Sequence, residues 1–131
     1  MAYNNTWFTT PIITQQNVDP TEGVFSTILG TSNDFAIMVQ IVSEVNRTAY
    51  PLPDPEESPS QEFHVALYPK GVSDVRDTAP YISKTISASG ETITKSVKFE
   101  VVGMNKCQVK VTNANDFGVV LQAAMTEAKL T

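Results

Sequence analysis

The feature that most constrains this chain is its excess of β-branched side chains. It contains 15 Val, 8 Ile and 15 Thr against only 5 Leu. Branching at Cβ restricts χ1 in a helix and fits the pleated surface of a sheet. The 131 residues are the size of one domain, and 41% of them are hydrophobic, which is enough for a sizeable core. The composition therefore predicts a single all-β domain.

The clearest strands lie in the C-terminal third of the chain. Within residues 92–102 the even positions from Thr92 to Glu100 are polar, and the odd positions other than Lys95 are apolar: Ile93, Val97, Phe99 and Val101. Residues 107–112 alternate in the same way, and a short connection containing Gly103 separates the two runs. Alternation indicates half-buried strands, and a short glycine-containing connection is typical of a hairpin. We therefore expect these two strands to pair with each other.

Further strands are predicted along the rest of the chain, at residues 24–29, 35–42, 63–67 and 119–125. Seven or eight short strands at this spacing are typical of a two-sheet sandwich. Two stretches, 34–46 and 116–129, also show helical spacing of their apolar residues, so a helix remains an alternative there. We prefer strands, with the last one continuing the meander. Residues 51–61 hold four of the eight prolines and are expected to form an extended surface loop.

The first twenty residues are polar but contain a group of large apolar side chains: Trp7, Phe8, Ile12 and Ile13. These side chains gain free energy only when they are buried. Residues 1–20 are therefore either an N-terminal arm that packs on a neighbouring subunit or the first strand of the domain that residues 21–131 complete. We predict that these four residues make the assembly contact.

Three segments of the C-terminal region carry a resemblance to a known group of proteins. They are Val97-Lys98-Phe99-Glu100-Val101-Val102-Gly103, Cys107-Gln108-Val109-Lys110-Val111-Thr112-Asn113 and Val119-Val120-Leu121-Gln122-Ala123-Ala124. This succession of strands resembles the C-terminal part of bacteriophage virion accessory proteins, such as capsid decoration proteins and head fibres. The resemblance covers about a third of the chain and contains no functional motif. It implies a jelly-roll-like β-sandwich and transfers no site residues.

The two residues best suited to catalysis both have a simpler structural interpretation. His64, the only histidine, falls on the polar side of its strand beside Glu62, and no pattern supplies the nucleophile that a general base needs. Cys107, the only cysteine, shares the apolar side of its strand with Val109, where a thiol is buried and unreactive. We expect no catalytic residue and no enzymatic activity.

Metal and cofactor sites are not predicted either. The loop acids Asp54, Glu56, Glu57, Asp74 and Asp77 lack the spacing of a calcium loop and are expected to be solvated. Zinc would need more ligands than one His and one Cys. No glycine-rich phosphate loop is present among the six glycines.

The charge pattern bears on possible partners. The formal net charge is −5, and nine Lys and Arg are spread along the chain, so we expect no basic surface and no nucleic-acid binding. The sequence has neither an apolar run of membrane-spanning length nor a signal-peptide pattern at its start. A single cysteine allows no intrachain disulfide. These features predict a protein that is made in a reducing host cytoplasm and has no membrane partner.

The most specific functional prediction is a virion structural protein that acts by assembly. We expect a capsid decoration or cement protein that forms a homo-oligomer, specifically a trimer, on other virion proteins. A tail, fibre or filament subunit would use the same sandwich. The alternative is a carbohydrate-binding module, because aromatic residues occur in or beside loops, where they could stack on sugars: Trp7, Tyr50, Tyr68 and Tyr81.

Overall fold

The computed structural model describes residues 3–5, 10–47 and 59–130. These residues form ten strands, which are β1 (Tyr3–Asn5), β2 (Thr10–Val18), β3 (Gly23–Phe25), β4 (Leu29–Gly30), β5 (Asp34–Val45), β6 (Ser60–Lys70), β7 (Ile82–Ser89), β8 (Thr92–Glu100), β9 (Lys106–Asn113) and β10 (Val119–Leu130). One 3-10 turn, Val72–Asp74, is the only helical element in the part of the chain described. The sequence predicted seven or eight strands, and the extra ones arise because residues 3–30 divide into short pieces.

The strands form two antiparallel sheets. In sheet A, β1 and β2 both pair with β10, which is followed by β5 and β8. In sheet B, β3 and β4 both pair with β9, which is followed by β6 and β7. Treating β1–β2 and β3–β4 as interrupted strands gives two four-stranded sheets, between which the chain crosses repeatedly. This is jelly-roll topology, and it confirms the predicted all-β sandwich.

Both stretches with helical spacing are strands. Residues 34–45 form β5, which lies between β10 and β8 in the middle of sheet A. Residues 119–130 form β10, which pairs with β5 on one side and with β1 and β2 on the other. Their inward side chains are buried in the core, whereas outward apolar side chains such as Val42 and Val120 are half-buried, since a middle strand has neighbouring strands on both sides that shield them.

The predicted C-terminal hairpin is wrong. The strands β8 and β9 lie in different sheets, since β8 pairs with β5 whereas β9 pairs with β6. The connection that contains Gly103, at φ 87°, therefore crosses from sheet A to sheet B. The strand β10 crosses back to pair with β5, so the predicted meander is wrong as well. Alternation identified the side of each strand that faces the core, which is the same whichever strand lies beside it.

The core lies between the two sheets and is built from the alternating positions of both. Sheet A contributes Ile37, Val39, Ile41 and Phe99, and sheet B contributes Phe63, Val65, Leu67 and Val109, all at most 1% exposed. Buried polar contacts also join the sheets. The Ser43 hydroxyl of β5 donates to Oε1 of Gln61 in β6 at 2.7 Å, and Nδ2 of Asn113 in β9 donates to the Val18 carbonyl of β2 at 3.2 Å. Burying polar groups is tolerated only when they are paired, so these contacts constrain how the sheets align.

The strand β2 places part of the N-terminal segment in the chain's own core. Ile12 and Ile13 are 2% and 3% exposed although they are consecutive. Strand β2 advances two residues, from Pro11 to Ile13, while β10 advances one, so Ile12 is the extra residue of a β-bulge. Residues 10–18 thus form a strand of sheet A. This agrees with the alternative that the N-terminal segment is a strand of the domain itself and not an arm that packs on a neighbouring subunit. Trp7 and Phe8 lie outside the described residues, and an assembly contact through them stays a prediction.

Candidate interaction surfaces

His64 lies on the solvent side of sheet B, as its position in the alternation predicted. It is exposed, and its Nδ1 lies 3.0 Å from the Thr85 hydroxyl on the neighbouring strand β7. A threonine hydroxyl does not orient a histidine as a carboxylate would. The contact joins two exposed side chains across a pair of strands.

Cys107 is fully buried in β9, and burial raises the pKa of its thiol to about 11. The thiolate, which is the nucleophilic form, is therefore a very small fraction of the population at neutral pH. The thiol acts here as a core side chain.

One acid of the loop between β6 and β7, Asp74, interacts with protein cations. Asp74 forms a salt bridge with Lys106, Nζ to Oδ1 2.8 Å, and this contact lowers the pKa of its carboxyl group. Within the described ranges no group of three or more His, Cys, Asp or Glu side chains could hold a metal ion. Asp54, Glu56 and Glu57 lie outside those ranges.

Two of the four aromatic residues proposed for sugar stacking, Tyr68 and Tyr81, lie in the described part of the chain. Tyr68 packs edge-on against Phe25, with ring centroids 5.3 Å apart, on the outer side of sheet B. Tyr81 is 68% exposed and stands at the start of β7. Trp7 and Tyr50 lie outside the described residues. The N–H of Tyr81 donates to the Leu67 carbonyl at 2.8 Å, so Tyr68 and Tyr81 come from neighbouring positions of β6 and the chain that enters β7.

The outer side of sheet A carries a patch without formal charge, which we call the neutral face: Gln15, Gln40, Val42, Gln122 and Ala124. Pairing brings these residues together, with Gln122 opposite Val42 and Ala124 opposite Gln40 on β10 and β5. Together with Pro11, Ile13, Thr14 and Ala123 they line a shallow depression of about 420 Å³. Sequence reasoning missed this patch because its residues come from three strands that are far apart in the chain.

No helix among the described residues is long and apolar enough to span a membrane. No protein-family model and no curated protein sequence matches this chain. Solved structures do match it, at sequence identities that show the fold alone.

One such structure is BtGH115A, a family GH115 4-O-methyl-alpha-glucuronidase, with a TM-score of 0.56 and 11% identity over 93% of this chain. Another is tripeptidyl peptidase 2, with a TM-score of 0.51 and 8% identity over 93% of this chain. The chain spans only 17% and 10% of these two proteins, respectively. In both, the matching region is a small part of a much larger enzyme.

The SPBc2 prophage-derived protein YomS also matches, with a TM-score of 0.43 and 10% identity over 95% of this chain and 99% of its own. Several carbohydrate-binding modules match at TM-scores below 0.5. The strand order and the two matches with TM-scores above 0.5 show that the chain has a jelly-roll β-sandwich fold.

Proposed function

We propose that this protein is a structural component of a bacteriophage virion that acts by assembly through its neutral face and catalyses no reaction. In its most specific form it is a capsid decoration or cement protein, arranged as a homotrimer. The neutral face is the observation that carries this proposal. The strand pattern of the C-terminal third, which resembles virion accessory proteins, supports the virion context.

The neutral face has the composition of an interface centre. Protein contacts are depleted of charge at their centre and carry charged residues at the rim. Glu44 and Lys98 occupy outward positions of the same sheet on either side of the patch, paired with Val120 and Met38. Gln15 and Gln122 are exposed, whereas Gln40, Val42 and Ala124 are half-buried within the sheet itself. A partner would therefore meet a surface that is already ordered by its backbone pairing.

The proposal is tested by co-sedimentation of the tagged protein with assembled phage particles. Wild type should pellet with the particles at a fixed, high copy number per capsid. Gln122→Lys places a charge in the centre of the neutral face, should prevent the homotrimer from forming and should thereby abolish this binding. Ser87→Lys makes a matched change at an exposed position on the outer side of sheet B and should leave it intact. Absence of the wild-type protein from purified particles would overturn the virion proposal.

A second candidate, carbohydrate binding, is favoured by the glutamines of the same face. Gln15, Gln40 and Gln122 surround the depression, and each amide offers both a donor and an acceptor, which suits sugar hydroxyls. No aromatic ring lines that depression among the residues described, so stacking would have to come from elsewhere.

Glycan-array screening followed by calorimetry separates the two functions. A saturable sugar signal that Gln40→Ala abolishes would establish the second candidate at the neutral face. Loss of the signal in Tyr50→Ala or Tyr81→Ala would instead place sugar binding at the loops. The assembly proposal predicts no saturable signal for the wild-type protein.

A further inference from the structure

The outer side of sheet B gathers four of the nine Lys and Arg residues of an acidic chain: Lys70, Arg76, Lys106 and Lys110. They come from the end of β6, the loop after it and β9. The sequence predicted that the cations would stay scattered, and that prediction is wrong for these four. We call this group the basic cluster.

Pairing and stacking hold the basic cluster together. Lys70 and Lys106 are directly opposite each other on β6 and β9, and Lys110 is opposite Phe25 on β3. The guanidinium carbon of Arg76 lies 3.6 Å from the centroid of the Phe25 ring, and Nζ of Lys110 lies 5.3 Å from the same centroid. Two cations on one ring are attracted by its π face, so the ring partly offsets their mutual repulsion.

The side chain of Gln108 connects Lys70 and Arg76 within the basic cluster. Its Oε1 accepts hydrogen bonds from Arg76 at 3.1 Å and from Lys70 at 3.4 Å. Its Nε2 donates to the Ser26 carbonyl at 2.7 Å, which fixes the orientation of the amide. The cations are thus held in place before any partner arrives, which lowers the ordering cost of binding.

The positive charge of the basic cluster is only partly neutralised within the chain. Of its four members, Lys106 alone forms a salt bridge among the described residues, with Asp74. Lys70 also contributes to lowering the pKa of Asp74, so a single carboxylate serves two ammonium groups. An external anion would therefore gain attraction to Arg76, Lys110 and Lys70 without breaking a salt bridge of any of them.

We propose that the basic cluster binds an acidic polypeptide segment of a partner protein. Along β9, Lys106 and Lys110 are four residues apart, which is roughly 13 Å in a strand. A short extended peptide with carboxylates at alternate positions matches this length. Gln108 lies between Lys106 and Lys110 on β9, and the side chains of Lys70 and Arg76 both reach its Oε1. They offer donors that carboxylates accept.

Two observations favour an acidic peptide over a nucleic acid. A long polyanion would meet the rest of a chain whose net charge is −5, whereas a short acidic segment can remain within the cluster. Single-stranded nucleic acids also need open aromatic faces on which bases can stack. One face of Phe25 is already occupied by Arg76.

Fluorescence anisotropy with a labelled ten-residue poly-glutamate peptide tests this proposal. Wild type should bind saturably and more weakly as salt is raised, since screening weakens exposed charge pairs. The double variant Lys70→Gln/Lys110→Gln should bind at least fivefold more weakly. Lys95→Gln removes an exposed cation of sheet A and serves as the matched control, with affinity unchanged.

The same titration contains the results that would overturn the proposal. Equal binding by the double variant and the control would show that general charge, not the basic cluster, attracts the peptide. Absence of peptide binding, or tighter binding of a labelled oligothymidylate of the same length, would reject the acidic-peptide partner. Gln122→Lys should bind the peptide at least as well as wild type, which keeps this test independent of the proposed assembly face.

Discussion

Gln61 gives the sharpest test of how the two sheets are joined. Its side chain is fully buried, accepts from the Ser43 hydroxyl at 2.7 Å, and donates to the carbonyls of Gly90 at 2.9 Å and Glu91 at 3.2 Å. It therefore links β5, β6 and the turn between β7 and β8. Gln61→Ala would remove all three contacts at once.

The expected cost follows from these contacts. The two hydrogen bonds to carbonyls contribute about 1 kcal/mol net each, and the Ser43 hydroxyl left buried without its partner costs about 1–3 kcal/mol. Gln61→Ala should therefore lower the free energy of unfolding by about 3–5 kcal/mol, a large share of the roughly 5–15 kcal/mol of a typical domain. Gln122→Ala, the same substitution at an exposed strand position, should change it by less than about 0.5 kcal/mol.

Urea denaturation of both variants measures this difference. Combining Gln61→Ala with Ser43→Ala completes a double-mutant cycle, in which we expect a coupling free energy of about 1 kcal/mol or more. A cost for Gln61→Ala below about 1 kcal/mol, or additive effects in the cycle, would refute the inference that this contact joins the sheets.

Three further predictions follow from buried groups and from the N-terminal segment. Cys107 should resist thiol reagents at pH 8 in the native protein and react fully in denaturant; rapid native labelling would contradict its burial. Burial raises the pKa of the Asp34 carboxyl group above its ordinary 3.8, so the folded chain keeps this proton to higher pH than the unfolded chain. As pH rises from the unfolded-state pKa through the folded-state pKa, the free energy of unfolding should therefore fall in wild type relative to Asp34→Asn. Urea denaturation of both proteins as a function of pH measures this, and free energies of unfolding that run parallel would contradict it. Ile12→Ala should lower the free energy of unfolding by about 2–5 kcal/mol, whereas Trp7→Ala should weaken assembly with little loss of stability, as measured by melting temperature and light scattering; the reverse pattern would reject the predicted role of Trp7.

The alternating strands were predictable from sequence to the level of single side chains. Val97 and Phe99 are buried and Lys98 is exposed, as the two-residue period requires. Lys95 is the exception, because it occupies an inward position of the edge strand β8 and is nevertheless exposed. Alternation carries no information on strand partners, however, and this is why β8 and β9 were wrongly paired. Which strands pair with each other depends on where the chain crosses from one sheet to the other, and those crossings are set by contacts between residues that are far apart in sequence.

Other features depended on contacts between residues far apart in sequence. The burial of both Ile12 and Ile13 comes from a bulge against β10, which no local period indicates. Arg76 and Phe25 are 51 positions apart in the sequence, so nothing near either residue predicted their stacking. The neutral face and the basic cluster were both hidden for this reason, and composition had suggested only an acidic protein without a basic surface.

The proposed assembly through the neutral face is tested most directly by sedimentation velocity at micromolar concentration. Wild type should sediment with three times the chain mass of 14.3 kDa, Gln122→Lys should sediment as a folded monomer, and Ser87→Lys should match wild type. A monomeric wild-type protein, or a Gln122→Lys variant that retains the full assembled mass, would contradict the proposal that this face makes the contact.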